Sequence, residues 1–267
     1  MKTISILGCG WLGRPLAVQL LSDGFRVKGS TTTEEKLNQL KQEGIHSWLI
    51  KTEAAGVVGD WNSFIENADW LLVNIPPGMK KNGSANFVAS MQKLCEQIER
   101  SGIQKIILVS STSVFQDIHQ TFTEADVPNS DAENGQALYQ VEQIFQNIAS
   151  AKTTIIRFGG LIGNDRHPVK FLSGRTGIPA PKSVVNLIHL EDCIGIISAV
   201  IQGDFCGEVL HGVTPFHPTR EAYYTQKAIE LNLPAPIFDV DDLSLGKTIN
   251  SRKLSTQLGY TFLKPEL

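Results

Sequence analysis

The chain has 267 residues, a formal net charge of −3 and 42% hydrophobic residues, with a pI near 6.1. This apolar content supplies the core of a folded α/β protein. The charge balance excludes the basic surface that nucleic acids or anionic membranes attract. The sequence contains no apolar run approaching the roughly 20 residues of a membrane-spanning helix, and its first residues lack a signal-peptide cleavage site. We expect a soluble, cytoplasmic protein whose partner is a small molecule.

Strand-like apolar runs alternate with amphipathic helical segments through the first 160 residues. This alternation predicts a parallel sheet built from βαβ units, with helices on both faces. The predicted strands are Ile4–Leu7, Phe25–Gly29, Ser47–Ile50, Trp70–Ile75, Lys105–Ser110 and Thr154–Arg157. The predicted helices are Arg14–Ser22, Glu34–Glu43, Asn86–Ser101 and Ala137–Ala149.

After Gly159 the alternation breaks down. Residues 163–182 are rich in Gly, Pro, Arg and Lys and predict a loop, and residues 184–200 predict a strand that leads into a helix. A short strand at Glu208–Leu210 and helices near Thr219–Leu231 and Ser251–Leu258 complete the chain. We assign residues 1–160 and 184–202 to a Rossmann-type, doubly wound core. Residues 161–183 and 203–267 are assigned to a small C-terminal α/β lobe on the substrate side.

A glycine-rich segment lies directly between the first predicted strand and the first predicted helix. Gly8, Gly10 and Gly13 have the spacing G-x-G-x-x-G. In this context the first glycine allows a tight turn, the second lets a pyrophosphate approach the backbone, and the third lets the helix pack closely. The helix N-terminus then faces the phosphates. The segment predicts a dinucleotide-binding loop, and the alternative is a glycine turn without a ligand.

The residues after the second strand bear on the choice of cofactor. NAD-binding proteins usually carry an acidic residue about 20 positions after the loop, where it accepts hydrogen bonds from the ribose. Here Ser30, Thr31 and Thr32 occupy that region, and Lys36 follows one turn later. Hydroxyl donors and a cation suit a 2′-phosphate, which favours NADP(H) and leaves NAD(H) as the alternative. The same hydroxyl residues also fit a helix cap.

The carboxyl ends of parallel strands meet at one sheet edge, where open α/β sheets bind ligands. Asn74 ends the fourth strand, where its amide either contacts a cofactor ribose or lies in a turn fixed by the following prolines. Ser111 and Thr112 end the fifth strand and are candidates for ligand contact. The residues assigned to cofactor binding are Gly8, Gly10, Trp11, Leu12, Gly13, Ser30, Thr31, Thr32, Lys36, Asn74, Ile75, Pro76 and Ser110.

Several segments, taken in order, resemble the extended short-chain dehydrogenase/reductase superfamily and its NAD-dependent epimerase/dehydratase branch. They are Gly8–Gly13, Asn74–Pro77, Ser110–Phe115, Arg157–Gly163, Asn186–Cys193 and the closing Gly246–Tyr260. In its short length and its His-Pro pair at 167–168, the chain is similar to small members of this branch that are described as nucleoside-diphosphate-sugar epimerase-like. The resemblance implies an NAD(P)-dependent enzyme with a nucleotide-sugar lobe, and it alone suggests a homodimer.

Catalysis in that superfamily uses a Ser or Thr, a Tyr, and a Lys four residues after the Tyr. Ser111 matches the first of these positions. If Glu142 is aligned with the glutamate that follows the family lysine, the Tyr and Lys positions fall on Asn134 and Leu138. If Tyr139 is taken as the tyrosine, the lysine position becomes Gln143. Neither register supplies the lysine that lowers the tyrosine pKa, so Tyr139 is a candidate catalytic residue without its usual partner.

Other polar residues suggest contacts to the substrate. The cations Arg157, Arg166 and His167 flank a glycine-rich turn and could hold a phosphate or carboxylate, although a solvated loop is an equal alternative. Asn186 and His189 belong to a segment that forms the floor of the active site in the resembling family, and a core histidine is an equal alternative for His189. With Thr112, these residues form the expected substrate set.

The four cysteines, Cys9, Cys95, Cys193 and Cys206, are far apart and have no spacing typical of a zinc site, so we expect no metal. Three functions follow from the sequence. The first is an NADP-dependent oxidoreductase or epimerase acting on a nucleotide-sugar or a similar polar carbonyl or hydroxyl compound, with Tyr139, His167 or water moving the proton. The second is an inactive NADP(H)-binding redox sensor or scaffold. The third is a nucleotide-sugar binder without redox chemistry.

Overall fold

A computed structural model describes residues 1–163 and 165–267, apart from the side chain of Lys80. The strands are β1 (Thr3–Leu7), β2 (Arg26–Thr31), β3 (His46–Leu49), β4 (Lys51–Glu53), β5 (Gly56–Val58), β6 (Trp70–Val73), β7 (Lys105–Ser111), β8 (Thr121–Phe122), β9 (Lys152–Phe158), β10 (Gly160–Ile162), β11 (Leu187–His189), β12 (Val209–Gly212) and β13 (Thr248–Ile249). The helices are α1 (Gly13–Ser22), α2 (Glu34–Gln42), α3 (Trp61–Ile65), α4 (Met79–Asn82), α5 (Ser84–Glu99), α6 (Glu133–Gln146), α7 (Val169–Leu172), α8 (Leu190–Gln202), α9 (Arg220–Glu230) and α10 (Arg252–Thr256).

The central sheet is parallel and has the order β12-β9-β7-β6-β1-β2-β3. From β1 the chain builds outward to β2 and β3 on one side, then returns to β6 and builds outward on the other. The order therefore reverses between β1 and β6, and the crevice at the carboxyl ends of these two strands is where such sheets bind ligands. The predicted Rossmann-type, doubly wound fold is confirmed.

Hydrophobic layers cover both faces of the sheet. On one face, Leu16 and Leu20 of α1 pack with Ile196 and Ile201 of α8. The other face is covered by α3, α5 and α6, whose buried residues include Phe64, Met91 and Phe145. These strands are buried on both sides because each face packs against helices, which explains their continuous apolar runs.

A small lobe lies beyond the carboxyl edge and has its own apolar cluster, which includes Ile178, Tyr223 and Phe238. The boundary differs from the prediction at one strand. Residues 203–267 were assigned to the lobe, but β12 pairs with β9 and forms an edge of the central sheet. The short run Glu208–Leu210 contains no pattern that predicts its pairing with β9, because tertiary packing decides which strands pair when they are far apart in the sequence.

The last part of the chain returns to the core through a short parallel pair of strands. β13 pairs with β8, which lies in the connection after β7. Nearby, the Asn186 side chain donates to the Lys247 carbonyl oxygen at 2.8 Å and accepts from the Ile249 N–H at 2.9 Å. These contacts hold residues 247–249 beside the carboxyl end of β7.

Candidate functional site

The glycine loop is held by hydrogen bonds from the neighbouring strands. The Gly8 N–H donates to the Ser30 hydroxyl oxygen at 3.0 Å, and the Asn74 side-chain amide donates to the Gly8 carbonyl oxygen at 3.1 Å. Gly8 has a φ of +107°, and a Cβ there would lie 2.3 Å from the Asn74 carbonyl oxygen. Only glycine fits this turn, since both its backbone angle and the space around it exclude a side chain.

Gly10 and Gly13 differ in what surrounds them. A Cβ at Gly13 would lie 2.3 Å from the Gly8 carbonyl oxygen, whereas a Cβ at Gly10 would meet no atom of the described residues within 4 Å. Glycine at 13 therefore lets α1 begin against the loop, and the space over Gly10 is open to a ligand. Leu12 precedes α1 and has no polar side chain with which to cap it. The Arg14 N–H donates to the Gly10 carbonyl oxygen at 3.0 Å and Pro15 has no N–H, so α1 offers a ligand chiefly the positive end of its dipole.

Three adjoining cavities follow the carboxyl edge of the sheet. The loop cavity, of about 290 Å³, adjoins the glycine loop. The middle cavity, of about 420 Å³, shares Asn74 and Arg166 with the loop cavity. The lobe cavity, of about 310 Å³, shares Ser111 with the middle cavity. Together they form one cleft that leads from the glycine loop past Ser111 to the small lobe.

The loop cavity gathers most of the residues assigned to cofactor binding. Its lining includes Gly8, Gly10, Trp11, Leu12, Ser30, Thr31, Thr32, Lys36, Asn74, Ile75 and Pro76. Gly13 is absent from this lining because it lies beneath the loop. Thr32 and Lys36 are exposed at one end of the cavity, whereas Ser30 is buried and its hydroxyl accepts the Gly8 N–H. The Ser30 side chain therefore supports the loop.

Trp11 links the glycine loop to the segment after β10. Its indole N–H donates to an Asp165 carboxylate oxygen at 2.9 Å, and the Arg166 guanidinium lies 5.1 Å from its ring centroid. Arg166 also lines the loop and middle cavities. Of the predicted substrate cations, Arg166 is the one that the structure places in the cleft.

Ser111 lies where the middle and lobe cavities meet. Its hydroxyl oxygen accepts the Ser113 N–H at 3.2 Å and caps the 3₁₀ turn Thr112–Val114. This contact uses the oxygen as an acceptor, so the hydroxyl hydrogen is left as a donor toward the cleft. Thr112 also lines the lobe cavity.

Behind Ser111 lies a buried polar network formed by Ser110, Glu142 and Arg157, and the buried His211 is paired with Arg157 in the adjacent strand. The Ser110 hydroxyl donates to a Glu142 carboxylate oxygen at 2.5 Å, and the Arg157 guanidinium binds the same carboxylate at 2.7 and 3.0 Å. Arg157 is only 4% exposed. The structure does not favour the predicted role of Arg157 in holding a substrate, because its guanidinium is paired with the carboxylate inside the core and it lines none of the three cavities described above. Ser110 lines the middle cavity, while its hydroxyl is committed to Glu142.

Helix α6 presents apolar residues to the cleft. Leu138 and Val141 line the middle cavity, whereas Tyr139 is partly buried against the core and is absent from the described cavity linings. Of the two possible alignments with the family motif, one places the lysine position at Leu138 and the other places it at Gln143. Leu138 faces the cleft, so the first alignment fits the structure better. The structure does not bring the Tyr139 hydroxyl to Ser111.

Two predicted histidines serve local structure instead. The Val169 N–H donates to His167 Nδ1 at 3.2 Å, so the ring carries its proton on Nε2, which lies 2.8 Å from the Tyr223 hydroxyl. His189 Nδ1 accepts the Glu191 N–H at 3.3 Å and caps α8. Both histidines are absent from the described cavity linings, so their assignment to the substrate set is not supported.

Asn186 lines the lobe cavity as predicted for a substrate residue, although both ends of its side chain bind the segment at 247–249. The cysteine in the glycine loop, Cys9, is buried, and burial raises the pKa of its thiol to about 12. At neutral pH it is therefore a thiol and not a reactive thiolate.

Two further findings concern the described residues. None of their helices combines the length and hydrophobicity that crossing a membrane requires. No group of three or more His, Cys, Asp or Glu side chains among them has an arrangement that could hold a metal ion.

Comparison with known proteins identifies the family. A family model described as NAD(P)H-binding matches residues 8–185. The protein YeeZ of Escherichia coli K12 is 34% identical over 268 residues, an alignment that covers 100% of this chain and 97% of YeeZ. The chain belongs to the NAD(P)H-binding family.

Solved structures share the fold of this NAD(P)H-binding protein at low sequence identity. UDP-glucuronic acid 4-epimerase from Bacillus cereus, in complex with UDP-glucuronic acid and NAD, has a TM-score of 0.76 at 16% identity and covers 100% of this chain and 95% of its own. The human epimerase family protein SDR39U1, with NADPH, has a TM-score of 0.71 at 15% identity and covers 100% of this chain and 96% of its own. The predicted resemblance to the epimerase/dehydratase proteins is confirmed at the level of the fold.

The cleft also contains residues that the sequence analysis did not single out. The lobe cavity is lined by Asp117, by Arg220 and Tyr224 of α9, and by Lys247, which come from three separate parts of the chain. Lys247 lies within the closing segment that carries the family resemblance, but it has no motif of its own. For Arg220 the sequence offers no signal, because it begins an ordinary amphipathic helix whose cap is Thr219.

Proposed function

We propose that this protein is an NADP(H)-dependent oxidoreductase or epimerase-like enzyme acting on a nucleotide-sugar or a similar polar carbonyl or hydroxyl compound. One observation carries the proposal: the cleft leads from a glycine loop built for a pyrophosphate to a serine hydroxyl at the entrance of a polar cavity. The loop cavity fits a dinucleotide because the space over Gly10 is open and the positive end of the α1 dipole begins at the loop.

The residues of the loop cavity have distinct roles in this proposal. Backbone N–H groups near Gly10 bind the pyrophosphate, and Thr32 and Lys36 bind the 2′-phosphate of NADP(H). Asn74, Ile75 and Pro76 lie between the loop and middle cavities and position the nicotinamide half. When bound, the dinucleotide supplies or accepts a hydride. Ser111 donates its hydroxyl hydrogen to the substrate oxygen and thereby orients the carbonyl.

A second candidate function is an NADP(H)-binding sensor or scaffold without turnover. The observation that favours it is the apolar wall of the middle cavity, where Leu138 stands at the position of the family lysine. The family lysine lowers the pKa of the catalytic tyrosine, so without it the cleft lacks the cation that makes a tyrosine an effective base at neutral pH. The enzyme is preferred because the cleft continues past this wall into a polar cavity, which a sensor of the dinucleotide alone does not require.

Calorimetric titration with NADPH and NADH tests the proposal first. We expect NADPH to bind more tightly, and the Gly13→Val variant to lose binding because a branched side chain would overlap the Gly8 carbonyl. Nicotinamide absorbance is then followed with nucleotide-sugars and simple carbonyl compounds. Turnover supports the enzyme, and tight binding with no turnover across the panel supports the sensor. Absence of binding by either dinucleotide in the folded wild-type protein would overturn both.

A further inference from the structure

The lobe cavity is the polar end of the cleft, and its charged side chains are not explained by dinucleotide binding. It lies on the far side of Ser111 from the glycine loop and is lined by Asp117, Arg220, Tyr224 and Lys247. A substrate oxygen that accepts from Ser111 would sit at the entrance of this cavity. The chemistry of these side chains therefore limits what the substrate carries.

Lys247 is fixed beside the segment that follows Ser111. Its side-chain ammonium donates to the Phe115 carbonyl oxygen at 2.6 Å. Its backbone N–H donates to an Asp117 carboxylate oxygen at 3.1 Å, and its backbone carbonyl oxygen accepts from the Asn186 side-chain amide at 2.8 Å. An ammonium has three hydrogens, and the Phe115 carbonyl takes one of them. The Lys247 head group is thus held at the wall of the cavity, and two ammonium hydrogens remain to bind a ligand.

Arg220 provides a second cation from α9. Its guanidinium donates to the Pro179 carbonyl oxygen at 2.9 Å and lies 6.0 Å from the ring centroid of Phe238. One carbonyl and one ring leave most of the five guanidinium N–H donors for a ligand. A planar fork of this kind suits a carboxylate or a phosphate.

Few groups in the cavity can exchange a proton near neutral pH. Arginine stays protonated, and burial raises the pKa of the Tyr224 hydroxyl, which opposes its use as a base. Burial lowers the pKa of Lys247, while Asp117 and Asp131 act in the opposite direction. Of the cations that line the cavity, Lys247 is therefore the one whose pKa is shifted toward neutral pH, which favours exchange of a proton.

We propose that the lobe cavity binds a small anionic carbonyl compound or the corresponding alcohol, with Arg220 holding the anionic group and Lys247 exchanging the proton. The inference rests on the proposed function, which supplies the nicotinamide dinucleotide. In reduction, a hydride from the reduced nicotinamide adds to the carbonyl carbon, and the carbonyl oxygen takes a proton from the Lys247 ammonium. The neutral amine is then protonated by solvent, and oxidation of the alcohol is the reverse.

Pyridoxal 5′-phosphate, an anionic aldehyde, is a direct probe of this arrangement. A neutral lysine amine condenses with its aldehyde with loss of water, and borohydride reduction makes the bond permanent for peptide mapping by mass spectrometry. We expect Lys247 to be modified several-fold faster than Lys182, an exposed lysine of the same lobe. Lys247→Met should remove the modified peptide signal, whereas Lys182→Met should leave the labelling of Lys247 unchanged.

The anion-binding role of Arg220 is tested with a matched pair of probes. We expect pyridoxal 5′-phosphate to label Lys247 several-fold faster than unphosphorylated pyridoxal, and Arg220→Gln to remove that difference. Equal labelling by both aldehydes in the wild-type protein would overturn the assignment of Arg220. The pH midpoint for labelling of Lys247 should lie below the midpoint for labelling of Lys182. The charged and titratable groups that face Lys247 are Asp117, Asp131, Arg220 and Tyr224.

Labelling spread over exposed lysines with Lys247 unmodified, or a midpoint for Lys247 equal to that of Lys182, would overturn its role in proton exchange. Because labelling needs no dinucleotide, NADPH calorimetry on the same samples reports separately on the proposed function. A protein that binds NADPH but leaves Lys247 unlabelled contradicts only this inference. A protein that labels at Lys247 but binds neither dinucleotide contradicts the proposed function.

Discussion

The two ends of the central crevice are built by different means. At the glycine loop, geometry comes from backbone conformation within a few residues, with Gly8 and Gly13 each leaving no room for a Cβ. Behind Ser111, the buried polar network joins Ser110, Glu142 and Arg157 through side chains that meet only in the folded protein, with His211 on the neighbouring strand. A ligand site based on backbone is visible as a motif, whereas one based on distant side chains is not.

Among the changes that test this comparison, Glu142→Gln should cause the largest loss of stability. It removes the charge that neutralises the buried Arg157, and breaking a buried pair by removing one partner costs about 3–5 kcal/mol of unfolding free energy. Chemical denaturation measures the loss. NADPH affinity of the folded variant should equal that of the wild type, because Glu142 lies outside the loop cavity. A stability change below about 1 kcal/mol would show that the network does not support the core.

The pH dependence of stability probes the same network through His211. Burial, followed by the nearby Arg157 charge, lowers the pKa of His211 to about 3. Between about pH 3 and pH 6.5, His211 is protonated in the unfolded chain and neutral in the folded chain. Stability is therefore full above about pH 6.5 and falls with acidification by about 1.4 kcal/mol per pH unit.

Denaturation of wild type and His211→Gln between pH 7 and pH 5 measures this contribution as a difference in slope. His167, whose pKa burial also lowers, adds a slope of the same sign to both proteins. Glu124, whose pKa burial raises, adds one of opposite sign to both. Comparing the two proteins therefore isolates His211. Parallel curves would mean that His211 titrates as it does in the unfolded chain.

Lys36→Glu gives the smallest expected effect on stability and tests the other end of the crevice. Lys36 is exposed on α2 and lines the loop cavity, so the change should leave the unfolding free energy within about 0.5 kcal/mol of wild type. The ratio of NADPH to NADH affinity should fall by about tenfold or more, since a cation near the 2′-phosphate becomes an anion. Lys41→Glu, on the same helix but outside the cavity, is the matched control. An unchanged ratio would remove Lys36 from the phosphate site.

Sequence patterns located the first half of the molecule well. The predicted strand Ile4–Leu7 and helix Arg14–Ser22 correspond to β1 and α1 within a residue at each end, because hydrophobic periodicity and the glycine spacing are local properties. The same patterns indicated the doubly wound order and most of the loop-cavity lining. They also located Ser111, since a strand's carboxyl end can be counted along the chain.

The sequence alone determined the fold class, the glycine loop and the absence of a family Tyr-Lys pair on α6. Only the tertiary structure decided that Arg157 pairs with Glu142 inside the core and that Arg220 and Lys247 reach the crevice beside Ser111. The physical reason is that a charged side chain is assigned its partner by long-range packing. Residues on separate helices and strands carry no local pattern that states which of them will meet.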